Sequence, residues 1–143
     1  MKAQEGTFRA PPWRLGMPQE PPAHTGPVLV VDDDAVVRGV ICRALEDEGL
    51  QVVPAANGQL AVDRASRNPP VLVVLDMSLP LLGGDAVAAE LRARVRDDLP
   101  ILVITADGHP AEKARALGAF AYLSKPFEMD ELLAHVHQGL AIG

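Results

Sequence analysis

Hydrophobic positions after residue 27 follow two patterns that alternate along the chain. Short apolar runs rich in valine and isoleucine indicate strands, and each run is followed by a longer segment with apolar residues at helical spacing. The runs predict five strands, at 28–31, 51–54, 71–75, 101–104 and 120–123. The longer segments predict helices at 35–48, 58–67, 85–96 and 127–140, and a short fourth helix that starts at Pro110, before the last strand.

The segment 35–48 shows clear helical signals. Asp34 stands where an N-cap residue is expected, and Gly49 stands where a glycine commonly ends a helix. Asp34 is therefore interpreted as a helix cap rather than as a further metal ligand. The apolar residues of the segment form one stripe, which consists of Val37, Val40, Ile41, Ala44 and Leu45.

Strands that alternate with helices predict parallel βαβ units and a three-layer α/β domain. The runs at 28–31, 71–75 and 101–104 are apolar at every position, which is typical of interior strands covered on both faces. The predicted fold is thus (βα)5, a doubly wound parallel sheet of five strands.

The first 27 residues differ in composition from the rest. They contain six of the thirteen prolines, and proline fits neither a helix interior nor a central strand. We therefore expect residues 1–26 to form a flexible, proline-rich tail and residues 27–143 to form one domain. The whole chain of 143 residues has the size of one ordinary domain.

Composition narrows the possible functions. The net charge of −6 and the aromatic content of 3% argue against direct nucleic-acid binding. The longest apolar run has five residues, far short of the roughly 20 needed to span a bilayer, and no signal peptide is recognisable. We expect a cytoplasmic protein without a membrane segment. Cys42 is the single cysteine, which excludes an internal disulfide and a CxxC site.

Polar residues stand at the ends of four predicted strands. Asp32 and Asp33 follow the first strand, Asp76 the third, Thr105 the fourth and Lys125 the fifth. Ligands of such sheets bind outside the carboxyl ends of the strands, at the point where the strand order reverses. If the strand order is 2-1-3-4-5, the first and third strands flank that point, and the three aspartates would converge in one crevice.

Three carboxylates in one crevice repel one another. At an effective dielectric constant of about 20, each pair of like charges at 4 Å costs on the order of 4 kcal/mol. Either a cation offsets this repulsion or one carboxylate keeps its proton. Lys125 is one candidate cation, and Mg²⁺, which prefers oxygen ligands and retained waters, is the other. A carboxylate beside Mg²⁺, a lysine and a hydroxyl is suited to accept a phosphoryl group.

The chain resembles the receiver domain of two-component response regulators over residues 27–141. The segments that carry the resemblance are Val30–Asp34, Leu75–Pro80, Gly83, Thr105-Ala106 and Lys125–Phe127. The resemblance implies a flavodoxin-like fold with the strand order 2-1-3-4-5. It also implies a phosphoprotein of phosphorelay signal transduction and not an enzyme. The domain would nevertheless catalyse its own phosphoryl uptake and a slow autodephosphorylation.

Specific roles for the acidic residues come with this resemblance. Asp76 would accept the phosphoryl group from a phosphohistidine on a histidine kinase or a histidine phosphotransfer protein. Asp33, Asp76 and the backbone carbonyl of Ser78 would bind Mg²⁺ directly, and Asp32 would act mainly through water.

The other implied residues respond to the phosphoryl group. Lys125 would pair with its oxygens, Thr105 would move its hydroxyl onto it, and Tyr122 would rotate inward. The Lys125–Pro126 bond would be cis. The output would be a protein contact, with an effector or with a second copy of the chain, through the face formed by helix 4, strand 5 and helix 5.

Three other functions fit parts of the same pattern. An aspartate-nucleophile phosphohydrolase of the haloacid dehalogenase type needs a second acid two residues after the nucleophile, where this chain has Ser78. A flavodoxin-like cofactor binder needs a phosphate-binding glycine loop after the first strand, where this chain has three aspartates. A pseudo-receiver that binds partners without phosphorylation is disfavoured by the presence of Asp33, Asp76, Thr105 and Lys125.

Overall fold

The computed structural model describes residues 25–79, 83–106 and 109–142. Its strands are β1 (Val28–Val31), β2 (Val52–Ala55), β3 (Leu72–Asp76), β4 (Ile101–Thr105) and β5 (Ala121–Ser124). Its helices are α1 (Ala35–Asp47), α2 (Gly58–Arg67), α3 (Gly84–Arg94), α4 (Pro110–Leu117) and α5 (Met129–Ile142). Residues 1–24 of the predicted tail lie outside the described residues, so the tail stays a prediction.

The strands form one parallel sheet in the order β2-β1-β3-β4-β5. This arrangement confirms the predicted doubly wound (βα)5 fold and its strand order. Every residue of β1, β3 and β4 is buried, as expected for interior strands with helices on both faces. Alternate residues of β1 face opposite sides: Leu29 and Val31 belong to one hydrophobic core, and Val28 and Val30 belong to the other.

The two edge strands are more exposed than the interior strands. β2 includes Pro54, which has no N–H group to donate and is tolerated at the edge of a sheet. β5, at the other edge, leaves the Tyr122 side chain 45% exposed. The cores are therefore centred on the three interior strands, whose carboxyl ends carry the aspartates and the threonine noted in the sequence.

Both predicted caps of α1 are confirmed. The Asp34 carboxylate accepts hydrogen bonds from the backbone N–H groups of Val36, at 2.9 Å, and Val37, at 3.2 Å. Gly49 follows the helix with a φ of +83°, a left-handed conformation that glycine adopts without steric penalty. The sequence thus defines both ends of α1 through local hydrogen bonding and backbone freedom.

The apolar stripe of α1 is narrower than predicted. Ile41 and Leu45 are buried, whereas Val40, which the sequence placed in the same apolar stripe, is 52% exposed. Consecutive helical residues differ by about 100° around the axis, so Val40 is turned away from Ile41 and off the side that packs on the sheet. Val36, one turn earlier, is 75% exposed beside it.

Several elements begin or end one or two residues from their predicted positions. β2, β3 and β5 each start one residue later, and α3 ends at Arg94 instead of residue 96. α5 begins at Met129 rather than at Phe127. The Glu131 carboxylate accepts a hydrogen bond from the backbone N–H of Glu128 at 3.3 Å, which places Glu128 just before the first helical turn.

The helices are of ordinary length. The shortest helix of the described part is α4, which has eight residues, starts at Pro110 as predicted and is ended by Gly118 with a φ of +66°. α5 has 14 residues. No helix in the described part of the chain is both long and apolar enough to cross a membrane.

Candidate functional site

The carboxyl ends of β1 and β3 lie side by side at the point where the strand order reverses. Val31 pairs with Leu75 in the parallel register, so the residues that follow them, Asp32 and Asp76, are neighbours. Both aspartates are buried, with an exposure of 1%. Asp33, the next residue in the loop after β1, is exposed.

Asp32, Asp33 and Asp76 form an acidic cluster. One carboxylate oxygen from each residue lies within 4.8 Å of the corresponding oxygens of the other two. A set of hard oxygen donors with few carboxylates and room for water fits Mg²⁺. The structure therefore brings the three predicted aspartates together in an arrangement that could hold a divalent cation.

Lys125 reaches the acidic cluster from the loop after β5. Its ammonium nitrogen lies 3.2 Å from Oδ2 of Asp32 and 3.4 Å from Oδ2 of Asp76. The Lys125 side chain is 22% exposed, so both ion pairs are largely shielded from water. The backbone N–H of Lys125 donates to the Thr105 carbonyl at 2.9 Å, which joins this loop to the end of β4. The peptide bond between Lys125 and Pro126 is cis.

One lysine does not neutralise three carboxylates. Burial raises the pKa of Asp32, and the charge of Asp76 adds to this effect. The backbone N–H of Asp34 and the ammonium group of Lys125 oppose the rise without cancelling it. Burial also lowers the pKa of Lys125, but the two buried carboxylates outweigh it, so that this pKa is raised. The lysine is thus held in its charged form, and the cluster keeps a net negative charge that favours a bound cation.

Ser78 contacts the second oxygen of Asp76. Its backbone N–H donates to Asp76 Oδ1 at 3.0 Å, and its hydroxyl donates to the same atom at 2.9 Å. Oδ1 is thus held by Ser78, while Oδ2 faces Lys125. At the metal site, the sequence predicted a role for the Ser78 carbonyl but not these two hydrogen bonds. The signal for the missed contacts was the aspartate itself, whose side chain often bonds the backbone two residues on.

Thr105 and Tyr122 differ in their placement. Asp76 pairs with Ile104 across β3 and β4, so Thr105 directly follows the partner of Asp76. Thr105 is buried, with an exposure of 2%. Tyr122 lies opposite Val103 on the edge strand β5 and is 45% exposed. The structure therefore places Thr105 beside the strand ends that carry the aspartates and places Tyr122 at the surface.

Arg38 is a contact of the site that sequence reasoning missed. From α1, its Nη1 donates to the backbone carbonyl of Asp32 at 2.8 Å. In the same loop, the backbone N–H of Asp34 donates to Asp32 Oδ1 at 2.9 Å. The helix after β1 therefore supports the loop that presents the first two aspartates. An arginine six residues after an aspartate is not a recognised motif, so the sequence offered no signal for this contact.

Known proteins with a related sequence are response regulators. A family model described as the response regulator receiver domain matches residues 28–137. The response regulator MprA of Mycobacterium sp. (strain KMS) is 45% identical over 111 residues, which cover 76% of this chain and 48% of that protein. The response regulator MprA of Mycobacterium leprae (strain TN) is 42% identical, with the same coverage of 76% and 48%. The chain thus spans about half the length of these curated relatives.

Solved structures with a related fold agree with the sequence relatives. The chemotaxis protein CheY4 of Vibrio cholerae has a TM-score of 0.74 and 29% identity, over 80% of this chain and 98% of that chain. A putative response regulator from Chloroflexus aurantiacus J-10-fl has a TM-score of 0.74 and 34% identity, over 82% of this chain and 99% of that chain. The fold, the acidic site and the family match lead to one conclusion. The chain belongs to the response regulator receiver domain family of two-component signal transduction.

Proposed function

We propose that Asp76 is the phosphoacceptor of this receiver domain. The donor is a phosphohistidine on a sensor histidine kinase or on a histidine phosphotransfer protein. The observation that carries the proposal is a buried carboxylate at the end of β3 with Lys125 Nζ 3.4 Å from one of its oxygens. Two further carboxylates lie within 4.8 Å of it. Together the three could hold a cation whose charge offsets that of an incoming phosphoryl group.

The proposed transfer forms one bond and breaks another. A carboxylate oxygen of Asp76 attacks the phosphorus atom, and the bond from phosphorus to the donor imidazole nitrogen breaks. The imidazole leaves with the electron pair of that bond and is neutral when its other nitrogen carries a proton. Slow autodephosphorylation later reverses the modification: water attacks the phosphorus atom, and the products are inorganic phosphate and the free Asp76 carboxylate.

Mg²⁺ is the cofactor that the acidic cluster fits. We assign direct contacts with the ion to Asp33, Asp76 and the carbonyl of Ser78, and a contact through water to Asp32. A bound Mg²⁺ would offset the negative charge of the phosphoryl oxygens. The hydrogen bonds from Ser78 to Asp76 Oδ1, at 2.9 and 3.0 Å, support this assignment because they fix the orientation of the accepting carboxylate.

Three further side chains would respond to the phosphoryl group on Asp76, namely those of Lys125, Thr105 and Tyr122. Lys125, whose pKa the two buried carboxylates raise, stays charged and pairs with the phosphoryl oxygens. The Thr105 hydroxyl moves onto the phosphoryl group, and Tyr122 moves inward from its exposed position. These contacts bias an existing equilibrium between two arrangements of α4, β5 and α5.

The face formed by α4, β5 and α5 is the proposed output surface. Its partner is an effector protein or a second copy of the chain, and this domain makes no direct contact with nucleic acid. We further propose that residues 1–26 are a flexible tail, that residues 27–143 are the receiver domain, and that the protein acts in the cytoplasm. These statements concern the receiver domain, because the chain spans about half the length of its curated relatives.

The proposal is tested by intact mass after incubation with Mg²⁺ and acetyl phosphate. We expect one phosphoryl adduct on the wild-type chain, no adduct when EDTA is present throughout, and no adduct on Asp76→Asn. Asp34→Asn is the matched control, because Asp34 lies in the site loop but caps α1, a role that asparagine also fulfils. This control should be modified to the same extent as the wild type.

Two results would overturn the proposal. The first is an adduct on Asp76→Asn, which would place the acceptor elsewhere. The second is the absence of an adduct on the folded wild-type chain with both acetyl phosphate and a purified histidine kinase as donors. That second result would favour a pseudo-receiver that binds partners without phosphorylation.

A further inference from the structure

We propose that residues 8–17 of the proline-rich tail bind, within the same chain, to an apolar groove between α1 and the start of α5, the α1 groove. The binding does not rest on the proposed function, because it requires no phosphoryl group. A segment bound there would cover the surface beside Lys125, so a protein partner that approaches from this side would have to displace it.

The α1 groove has a volume of about 470 Å³, and almost all of its exposed surface is apolar. On one side, α1 contributes Val36 and Val40. The other side is formed by the residues that join β5 to α5, namely Lys125, Pro126, Phe127 and Met129. The groove therefore lies next to the acceptor site but is lined by side chains of a different kind.

Val36 and Val40 are unusually exposed for apolar residues. Their exposures are 75% and 52%, and no other large hydrophobic side chain in the described part of the chain is as exposed as these two. Both lie in the same groove, so their exposed surfaces belong to one apolar patch. Such a patch, bordered by polar residues, is typical of a surface that binds another segment or molecule.

The segment 8–17 has the composition that an apolar groove requires. It contains four large apolar residues within ten positions, namely Phe8, Trp13, Leu15 and Met17. Aromatic side chains contribute a large apolar area with few rotatable bonds. The prolines at positions 11 and 12 fix the backbone φ angle, which lowers the conformational entropy that the segment loses when it binds.

The charges of the segment and of the groove are complementary. The segment carries Arg9 and Arg14 and no acidic residue. Exposed acids adjoin the groove residues: Asp34 directly precedes α1, and Glu128 stands between Phe127 and Met129. The cations on the same elements are engaged, since Lys125 pairs with two buried aspartates and Arg38 donates to a backbone carbonyl. Opposite charges of this kind favour a basic segment over an acidic one.

The chain between the segment and the domain is long enough to reach the groove. Twelve residues separate Trp13 from residue 25, and an extended chain of that length spans about 40 Å. β1 begins at Val28 and has four residues, so it covers only about 13 Å before the chain turns into α1. Such a tether holds the segment at an effective concentration on the order of millimolar, at which a groove of modest affinity is filled.

Trp13 is the single tryptophan of the chain, so its fluorescence tests the binding directly. In the full chain, we expect emission at shorter wavelength and weaker quenching by acrylamide than in an isolated peptide of residues 1–24. Val40→Lys should shift both values to those of the peptide, because it places a charge of the same sign as Arg14 in the groove. Lysine is a good helix former at an exposed position, and an unchanged circular dichroism spectrum would show that the variant is folded.

Ala89→Lys is the matched control. Ala89 is an exposed residue of α3, and α3 packs on the opposite face of the sheet from α1. This variant adds the same charge on another helix and should keep the emission of the wild type. Wild-type emission equal to that of the peptide would overturn the proposal, and so would a folded Val40→Lys that keeps the wild-type emission.

Two further measurements locate the segment. In NMR spectra of the full chain, Trp13→Ser should move the methyl resonances of Val36 and Val40, because the indole ring no longer lies against them, whereas those of the buried Val73 should stay. Unmoved resonances of Val36 and Val40 would contradict the proposed site. The Trp13 emission should also be independent of protein concentration. A shift that disappears on dilution would overturn binding within one chain and assign the segment to the groove of a second copy.

Discussion

The bodies of the interior strands and their carboxyl ends bury different kinds of side chain. Val74 in β3 and Leu102 in β4 are buried among other apolar residues, and such burial stabilises the fold by roughly 25 cal/mol per Å². At the carboxyl ends, Asp32, Asp76 and Thr105 are buried to a similar degree, with exposures of 1–2%. Buried charge is costly unless it is paired, and Lys125 offsets only part of it here.

The stability of the protein thus comes from the bodies of these strands, whereas its functional site comes from their carboxyl ends. The apolar bodies provide a rigid platform on which like charges are held close together. A cation bound at the charged ends would relieve a repulsion that is already present, and its charge could then offset that of a phosphoryl group. Substitutions in the two regions should consequently differ in size and, for some residues, in sign.

The largest effect on stability is expected in the strand bodies. Leu102→Ala should lower the free energy of unfolding by about 2–5 kcal/mol, because it removes a fully buried side chain and leaves a cavity. Urea unfolding measures this loss. Val40→Ala, at a position that is 52% exposed, is the matched control and should change stability by about 0.5 kcal/mol or less. A loss below about 1 kcal/mol for Leu102→Ala would mean that the core collapses onto the cavity.

The next largest effect is expected from Mg²⁺. An ion that binds only the folded state at a concentration 100 times its dissociation constant adds about 2.7 kcal/mol to the free energy of unfolding. Urea unfolding with and without Mg²⁺ should show such a gain, and EDTA should reverse it. Asp33→Asn should abolish the gain with little effect on the ion-free protein, because Asp33 is exposed. Equal stabilisation of this variant and the wild type would argue against the acidic cluster as the binding site.

A smaller effect of opposite sign is expected at Asp32. Without Mg²⁺ at neutral pH, Asp32→Asn should raise the free energy of unfolding by about 1–2 kcal/mol, because it removes a buried like charge beside Asp76. The pKa of Asp32 is raised in the folded protein, so the wild type regains stability as the pH falls through that pKa. The advantage of the variant should therefore shrink in acid. Urea unfolding at several pH values measures this trend, and a destabilised variant at neutral pH would contradict it.

The sequence predicted the fold well because its signals were local. The apolar runs identified β1, β3 and β4 as interior strands, and the residues flanking α1 identified its caps. The predicted strand ends differ from the observed ones by one residue, because the parallel register with a neighbouring strand decides which residue is the last to pair. Val40 was included in the apolar stripe of α1 because spacing alone does not show how much of the helix surface the neighbouring elements cover.

The site was predictable to the extent that it lies at strand ends. The convergence of Asp32, Asp33 and Asp76 follows from the strand order, which the resemblance to receiver domains implied and the alternation of strands and helices alone does not determine. The contact of Arg38 was missed because it is a side-chain hydrogen bond to a backbone carbonyl. Such carbonyls are present at every residue, so the sequence does not mark which of them an arginine will reach.

The smallest predicted effect concerns Asp34, and it distinguishes the role of Asp34 from that of Asp32 in the same loop. Asp34→Ala should lower the free energy of unfolding by about 1 kcal/mol, because the first turn of α1 loses the acceptor for the N–H groups of Val36 and Val37. Asp34→Asn should keep most of that stability, and neither variant should lose the gain from Mg²⁺. Asp32 and Asp34, two residues apart, would then act in opposite directions, one reducing stability to build the site and the other stabilising the helix beside it. If Asp34→Ala instead weakened the response to Mg²⁺ as strongly as Asp33→Asn does, the acidic cluster would have to include Asp34.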